Sequence, residues 1–299
     1  MDNRFTGVIP PVVTPFTAAG EVDFDSLDKV VEHLIAGGVN GLFALGSSGE
    51  VAYLTDAQRD AVIERVVKAA AGRVPVLAGA IDTTAHRVID QARRAAALGA
   101  EAIVATCPFY ALNDAEEIKA HFRAIAAAID VPVRLGGAKL GCELLVELGK
   151  EGVLAGVKDS SGNDVAFRRL VAANEAAGHP LALLTGHECV VDGMLLLGAD
   201  GLVPGYGNVD PVRYAEMWKA SREGAWDEVR RLQDEVCAGF EIVFVPQGRS
   251  ADATGIGAFK TAMEAIGIIA TNEMAFPVKA LEGETKERVL EIVKAQGLI

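Results

Sequence analysis

Short apolar segments alternate with alanine-rich helical stretches eight times before residue 211, and few folds accept that rhythm. The apolar segments fall at 8–13, 41–45, 76–79, 102–105, 131–135, 153–157, 182–184 and 201–203. Helical patterns fill 26–36, 56–71, 85–98, 115–128, 143–150, 164–177 and 189–197. Strands separated by helices pair in parallel, because each helix carries the chain back to the same starting edge. Eight such units in a chain of 299 residues predict a closed (β/α)8 barrel. A doubly wound sheet would place a glycine-rich phosphate turn after its first strand. The segment Val12-Val-Thr-Pro-Phe16 contains no glycine. After Pro211 the strand signal fades, and helical patterns at 212–222, 226–240, 256–265 and 286–295 predict a C-terminal helical extension. The expected division is a barrel over 1–222 with a helical region over 223–299 packed on it.

Hydrophobic residues make up 51% of the chain, yet charged residues or glycines interrupt every apolar run before it reaches membrane-spanning length. The start, Met1-Asp-Asn-Arg-Phe5, lacks the basic and then apolar profile of a secretory signal. These features predict a cytoplasmic protein without a membrane partner. A net charge of −13 argues against nucleic acid as a partner, while leaving room for a small anionic substrate in a local site. Cys107, Cys142, Cys189 and Cys237 have no paired spacing, so reduced thiols are expected rather than a disulfide frame or a metal site. Cys107, Cys142 and Cys189 are expected near the barrel mouth, in packing roles.

Lys158 closes the apolar run of the sixth segment, in Gly152-Val-Leu-Ala-Gly-Val-Lys-Asp-Ser-Ser-Gly162. Alternation along a strand puts Leu154, Gly156 and Lys158 on one face. An ammonium at the edge of a core is costly unless paired or neutral, and a neutral amine attacks carbonyls. The alternative is a solvated or salt-bridged lysine at a strand end. A second feature is the turn Gly46-Ser-Ser-Gly-Glu50, followed by Thr55-Asp-Ala-Gln58, which has the form of a helix capping box. Its glycines permit inward-turned N–H groups, and Ser47 and Ser48 add hydroxyl donors, a nest sized for a carboxylate. An ordinary strand-to-helix turn also uses Gly and Ser. In a barrel all such turns open on one face, so this turn and Lys158 would share a pocket. A carboxylate holder beside a nucleophilic amine suits a 2-oxo acid, whose iminium acts as an electron sink.

The chain resembles the dihydrodipicolinate synthase/N-acetylneuraminate lyase family of class I, pyruvate-dependent aldolases. The resemblance spans nearly the whole chain and rests on Pro11-Val-Val-Thr-Pro-Phe16, Gly46-Ser-Ser-Gly-Glu50, Pro108-Phe-Tyr110, Gly156-Val-Lys-Asp-Ser-Ser-Gly162, Thr185-Gly-His-Glu188, Gly198-Ala-Asp-Gly201 with Asn208, and Gly257-Ala-Phe-Lys260. It implies a Schiff-base lysine at Lys158 and a pyruvate carboxylate site at Gly46, Ser47 and Ser48. It also implies substrate contacts at Gly186 and Glu188, with His187 beside them, and a pocket wall at Val203 and Gly205. No cofactor is implied, because the covalent imine on Lys158 supplies the electron sink, and no metal is implied. The implied partners are a 2-oxo acid and an aldehyde, and the implied assembly is a homotetramer built as a dimer of dimers.

The family carries a proton-relaying tyrosine at the end of strand five, and here the chain departs from it. The corresponding stretch reads Val131-Pro-Val-Arg-Leu-Gly-Gly-Ala-Lys-Leu-Gly141 and has no tyrosine. Tyr110, which resembles the family's tyrosine after strand four, is the remaining catalytic phenol. Lys139 is expected as a solvated charge. Synthases of the family hold the aldehyde's carboxylate with an arginine after the missing tyrosine; Arg134 instead precedes the turn, on a strand. This favours a sugar-acid or other 2-oxo-acid substrate over the dihydrodipicolinate synthase reaction. A 2-oxo-acid-binding homologue with impaired turnover is the alternative from another class.

Overall fold

The computed structural model describes residues 3–136 and 140–299. Eight parallel strands form one sheet: β1 (Gly7–Val8), β2 (Leu42–Ala44), β3 (Val76–Gly79), β4 (Ala102–Ala105), β5 (Val133–Gly136), β6 (Gly156–Asp159), β7 (Ala182–Thr185) and β8 (Gly201–Leu202). Their order runs β1-β8-β7-β6-β5-β4-β3-β2. The two outer strands meet as well, through a bridge between Pro11 and Phe43 and bonds from Val12 N to Phe43 O and Phe43 N to Pro10 O. The sheet therefore curls into the expected (β/α)8 barrel. Strand β1 is shorter than the predicted 8–13 because Pro10 and Pro11 have no N–H to give a ladder.

Helices alternate with the strands: α1 (Phe24–Ala36), α2 (Asp56–Ala70), α3 (Ala85–Ala97), α4 (Ala115–Ala126), α5 (Cys142–Lys150), α6 (Asp164–Ala176), α7 (Val191–Leu197) and α8 (Pro211–Arg222). Three more follow: α9 (Trp226–Phe240), α10 (Ala251–Ala265) and α11 (Gly283–Ala295). Helix α2 begins with the expected capping box, Thr55 accepting from Gln58 N while the Gln58 side chain returns to the Thr55 N–H. Helix α1 starts earlier than expected because Asp23, not Ser26, is its cap. Helix α10 starts at Ala251, capped by Ser250. Gly99 and Gly198 end their helices with φ of 101° and 109°, conformations that a β-carbon opposes.

Strand β6 begins later than the predicted 153–157. Val153 N and Leu154 N turn back to Leu148 O and finish the preceding helix, so Leu154 joins the outer core between sheet and helices. Inside the barrel, Phe5, Ile9, Phe43, Leu77, Ala102, Val104, Ala182, Leu184 and Val203 form a separate packed cluster. Arg134 also sits inside, with its guanidinium 5.8 Å from the Phe5 ring and against Gly156. That contact lies toward the strand starts, and Arg134 also lines the small cavity that Lys158 borders. Gly137 and Lys139 lie outside the described residues. Among the described residues, no helix is long and apolar enough to cross a membrane.

The seam between β1 and β8 is tied by Asn208, which is fully buried. Its Oδ1 accepts from Val13 N at 3.1 Å, and its Nδ2 donates to Pro11 O and Gly205 O, both at 2.9 Å. Asn208→Ala takes this partner from Val13 N and Pro11 O in the interior, while Gly205 O keeps the Asn208 backbone N–H. It should lower unfolding free energy by about 2–4 kcal/mol in chemical denaturation.

Candidate active site

Lys158 stands in the last turn of the ladder of β6, flanked in register by Gly136 of β5 and Leu184 of β7. Its side chain points into the barrel and borders a small cavity with Phe43, Val104, Leu184 and Val203. The cavity, about 20 Å³, has room for about one water. Burial is the main cause that lowers the Lys158 pKa, and the nearby Glu188 charge opposes it. The side chain keeps partial access to solvent, which a substrate needs. Lys158 therefore has the environment of a nucleophilic amine rather than of a solvated strand-end charge.

Gly186 makes this placement possible. A β-carbon there would lie 2.5 Å from Lys158 Cε and closer still to Ser160 Oγ. Gly186 N donates to Asp159 O at 2.7 Å, which pins the glycine against β6. Ser160, two residues after Lys158, thus brings a hydroxyl to the same corner. Sequence reasoning passed over Ser160, although strand alternation from Lys158 carries that signal.

The Ser47-Ser48 turn follows β2 as a single 3-10 turn, Ser47–Gly49. Leu45 and Glu50, on either side of it, hold left-handed φ values of 58° and 55° without being glycines. Such residues cost roughly 1–3 kcal/mol each and persist only where surroundings hold them. The holding contacts are explicit. Thr14 Oγ1 donates to Gly49 O at 2.8 Å, Glu50 pairs with Lys260, and Glu50 Oε1 accepts from Ala275 N at 2.8 Å. Gly46 packs against Phe43, where a β-carbon would meet Cε1 at 2.8 Å. Phe43 lines the Lys158 cavity, so it connects the turn to that cavity. Among the described residues, Ser47 and Ser48 hydroxyls have no protein partner; Ser47 is exposed and Ser48 half-buried.

Val203 lines the cavity as expected. Gly205 is needed for close packing, since a β-carbon would fall 2.7 Å from Phe259 Cε2 and 3.1 Å from Glu188 Oε1. Glu188 corrects an expectation. Instead of reaching toward substrate, its carboxylate accepts from Gly205 N at 2.9 Å, Tyr206 N at 2.8 Å and Tyr214 OH at 2.9 Å. It braces the segment after β8 and sets a negative charge near Lys158. Burial pushes its pKa up to about 6 against those hydrogen bonds and the lysine charge. His187 Nδ1 lies 3.4 Å from Asp164, at the start of α6.

Tyr110 is fully exposed, with φ 75°, and within one chain its phenol touches no wall of the Lys158 cavity. Its neighbours Phe109 and Leu112 are exposed too. The four cysteines are free and half-buried; burial raises the Cys107 pKa and, as the largest cause, pushes Cys189 to about 11. None of them lines the Lys158 cavity. Cys142 borders a roomier cleft of about 430 Å³ between α5 and α6, with Asp159, Asn163 and Arg169. That cleft runs along the outer side of β6, where Val157 points, and not over the amine.

A model of the dihydrodipicolinate synthetase family matches residues 4–296. The chain belongs to that family. It is 32% identical over 307 aligned positions to a 4-hydroxy-tetrahydrodipicolinate synthase of Phenylobacterium zucineum, covering all of both chains. It is 37% identical over 237 positions to an uncharacterized DapA-like lyase of Halobacterium salinarum, covering 77% of this chain and 76% of the relative. Among solved structures it resembles a prophage protein of the dihydrodipicolinic acid synthase family from E. coli K12, in complex with pyruvate. That match has a TM-score of 0.92 at 26% identity and covers 99% of each chain. The dihydrodipicolinate synthase of Bacteroides thetaiotaomicron matches with a TM-score of 0.91 at 29% identity, covering 99% of this chain and 100% of that one. Members of the family are carbon–carbon lyases of the aldolase kind, and this chain is an enzyme of that kind.

Gly186→Ala should leave the fold intact but displace Lys158 and Ser160. Turnover is expected to fall at least about 100-fold while the circular dichroism spectrum is unchanged, on the scale of a misplaced reacting group.

Proposed function

We propose that the chain makes or breaks a C–C bond between a 2-oxo acid of the pyruvate type and an aldehyde, through an imine on Lys158. The observation that carries this reading is the Lys158 amine, depressed by burial, in one barrel mouth with a turn whose two serine hydroxyls have no protein partner. The family relation adds weight, and the E. coli relative was solved in complex with pyruvate. No cofactor enters this reading.

In the condensing direction Ser47 and Ser48 hold the carboxylate and the neutral amine attacks the keto carbon. The carbinolamine loses water to give the iminium. Loss of a proton from the adjacent carbon gives an enamine, which attacks the aldehyde carbon, and the aldehyde oxygen takes up a proton. Hydrolysis of the imine then releases product and restores the amine. Val203, Gly186 and Gly205 shape the pocket. A water, or Tyr110 from a second copy, relays the protons. The exposed Phe109, Tyr110 and Leu112 suit burial against another copy, in line with the proposed homotetramer.

A sugar-acid or similar 2-oxo-acid substrate is favoured over aspartate semialdehyde, because no arginine follows the strand-five turn in the sequence, and Arg134, which borders the Lys158 cavity, reaches it from the Phe5 and Gly156 side. A panel of aldehydes incubated with pyruvate and followed by NMR tests this choice. Polyhydroxylated aldehydes should give product faster than aspartate semialdehyde. The reverse order would make the dihydrodipicolinate synthase reaction the better reading, and no product with any aldehyde would favour a binding protein.

Two further outcomes are expected. Imine formation requires neutral Lys158, so its rate should rise with pH through a midpoint below the ordinary lysine value, read by borohydride trapping at fixed pyruvate. Gly136, beside Lys158 in register, is the position at which to add a phenol; among the described residues a β-carbon there meets Val104 Cγ1 at 3.0 Å, a methyl that must shift slightly. Gly136→Tyr should raise kcat about 10-fold or more, and Gly136→Phe should not. Equal effects of the two would remove the proton relay from the explanation.

A further inference from the structure

The pair of Glu50 and Lys260 joins residues 210 positions apart and is completely buried. Lys260 also donates to Glu273 O at 2.9 Å and lies 4.3 Å from the centre of the Phe16 ring. Its ammonium thus joins α10 to the segment after β2, through Glu50, and to the loop after α10, through Glu273 O. Asp252, eight residues earlier on α10 and so on the same face, accepts from Tyr53 OH. Helix α10 therefore grips the segment following Ser47-Ser48 at two points, Glu50 and Tyr53. Ala275 N adds a third hold on Glu50.

A buried ion pair is a poor choice for stability alone, since packed apolar groups of the same volume often do as well. What it does here is fix one backbone geometry. Glu50 has φ 55°, and its carboxylate is held by Lys260 on one oxygen and Ala275 N on the other. The left-handed turn next to the serines is held in place by those bonds. Residues that position an anion site must themselves be locked by surrounding contacts.

We infer that Lys260 and Glu50, with Tyr53 and Asp252, are positioning residues through which helix α10 of the C-terminal region sets the geometry of the carboxylate-binding serines. The inference rests on the proposed reading of Ser47 and Ser48. It gives the C-terminal helices a part in substrate binding in addition to their packing role. None of the four residues touches substrate. Their loss acts on affinity for the 2-oxo acid and leaves the chemistry at Lys158 in place.

The test compares the parent chain with the paired replacement Glu50→Gln/Lys260→Met, which removes both charges together, and with Tyr53→Phe at the partly exposed arm. Pyruvate is titrated by calorimetry and, in parallel, by borohydride trapping, with folding checked by circular dichroism. The paired replacement is expected to raise half-saturating pyruvate at least 10-fold, and Tyr53→Phe about 3-fold. The plateau trapping rate should stay within 2-fold of the parent. Unchanged half-saturation in a folded paired variant overturns the inference. If that variant fails to fold, Tyr53→Phe decides, and an unchanged value there overturns it. A parent chain that binds pyruvate without forming an adduct refutes the imine reading but still tests the clamp by calorimetry. A parent that neither binds nor traps pyruvate overturns both.

Discussion

The cost of taking the Lys158 ammonium out of water organises the mouth of this barrel. A lysine in that position tends to lose its proton, and the structure does little to stop it. The Glu188 charge opposes the shift, and burial weakens that carboxylate as well. The amine points inward because strand alternation aims it there. It fits because Gly186 has no side chain to crowd it, while Gly156 makes the matching room for Arg134. Barrel closure through the short β1 and the Asn208 bonds then holds the segment after β8, with Val203, two strands from Lys158.

The elements around Lys158 have separate tasks. Glu188 ties the segment after β8 to α8 through Tyr214 and leaves one negative charge facing the amine. The Ser47-Ser48 turn keeps its hydroxyls unspent, because backbone and buried side chains hold it from behind. Gly136 sets no side chain of its own beside Lys158 in register. Under the proposed reading, nucleophile and anion holder belong to one chain, and proton transfer falls to water or to a second copy.

Local features of the sequence predicted what local physics decides. The alternation of apolar and helical segments, the Thr55-Gln58 cap and the glycines ending α3 and α7 all depend on neighbouring residues, and all stand as expected. The placement of Lys158 at the end of a strand and of the serines in a turn after β2 was legible for the same reason. Features set by distant partners were not. The Glu50–Lys260 pair spans almost the whole chain, and neither residue's surroundings reveal the other. Glu188 looked like a substrate contact because its three donors come from segments 17 to 26 residues later. Strand β6 was placed too early because Val153 and Leu154 read as strand while their N–H groups finish a helix. Tyr110 lies exposed on a loop, apart from the Lys158 cavity, and its proposed role as a phenol rests on the resemblance alone.

The central claim is a covalent one, an imine between Lys158 and a pyruvate-type acid. Borohydride reduction of the intact protein with pyruvate, followed by peptide mass spectrometry, tests it most directly. The account predicts a single pyruvate-derived adduct, on Lys158. A folded protein with no adduct, or with the adduct on another lysine such as Lys260, would contradict it.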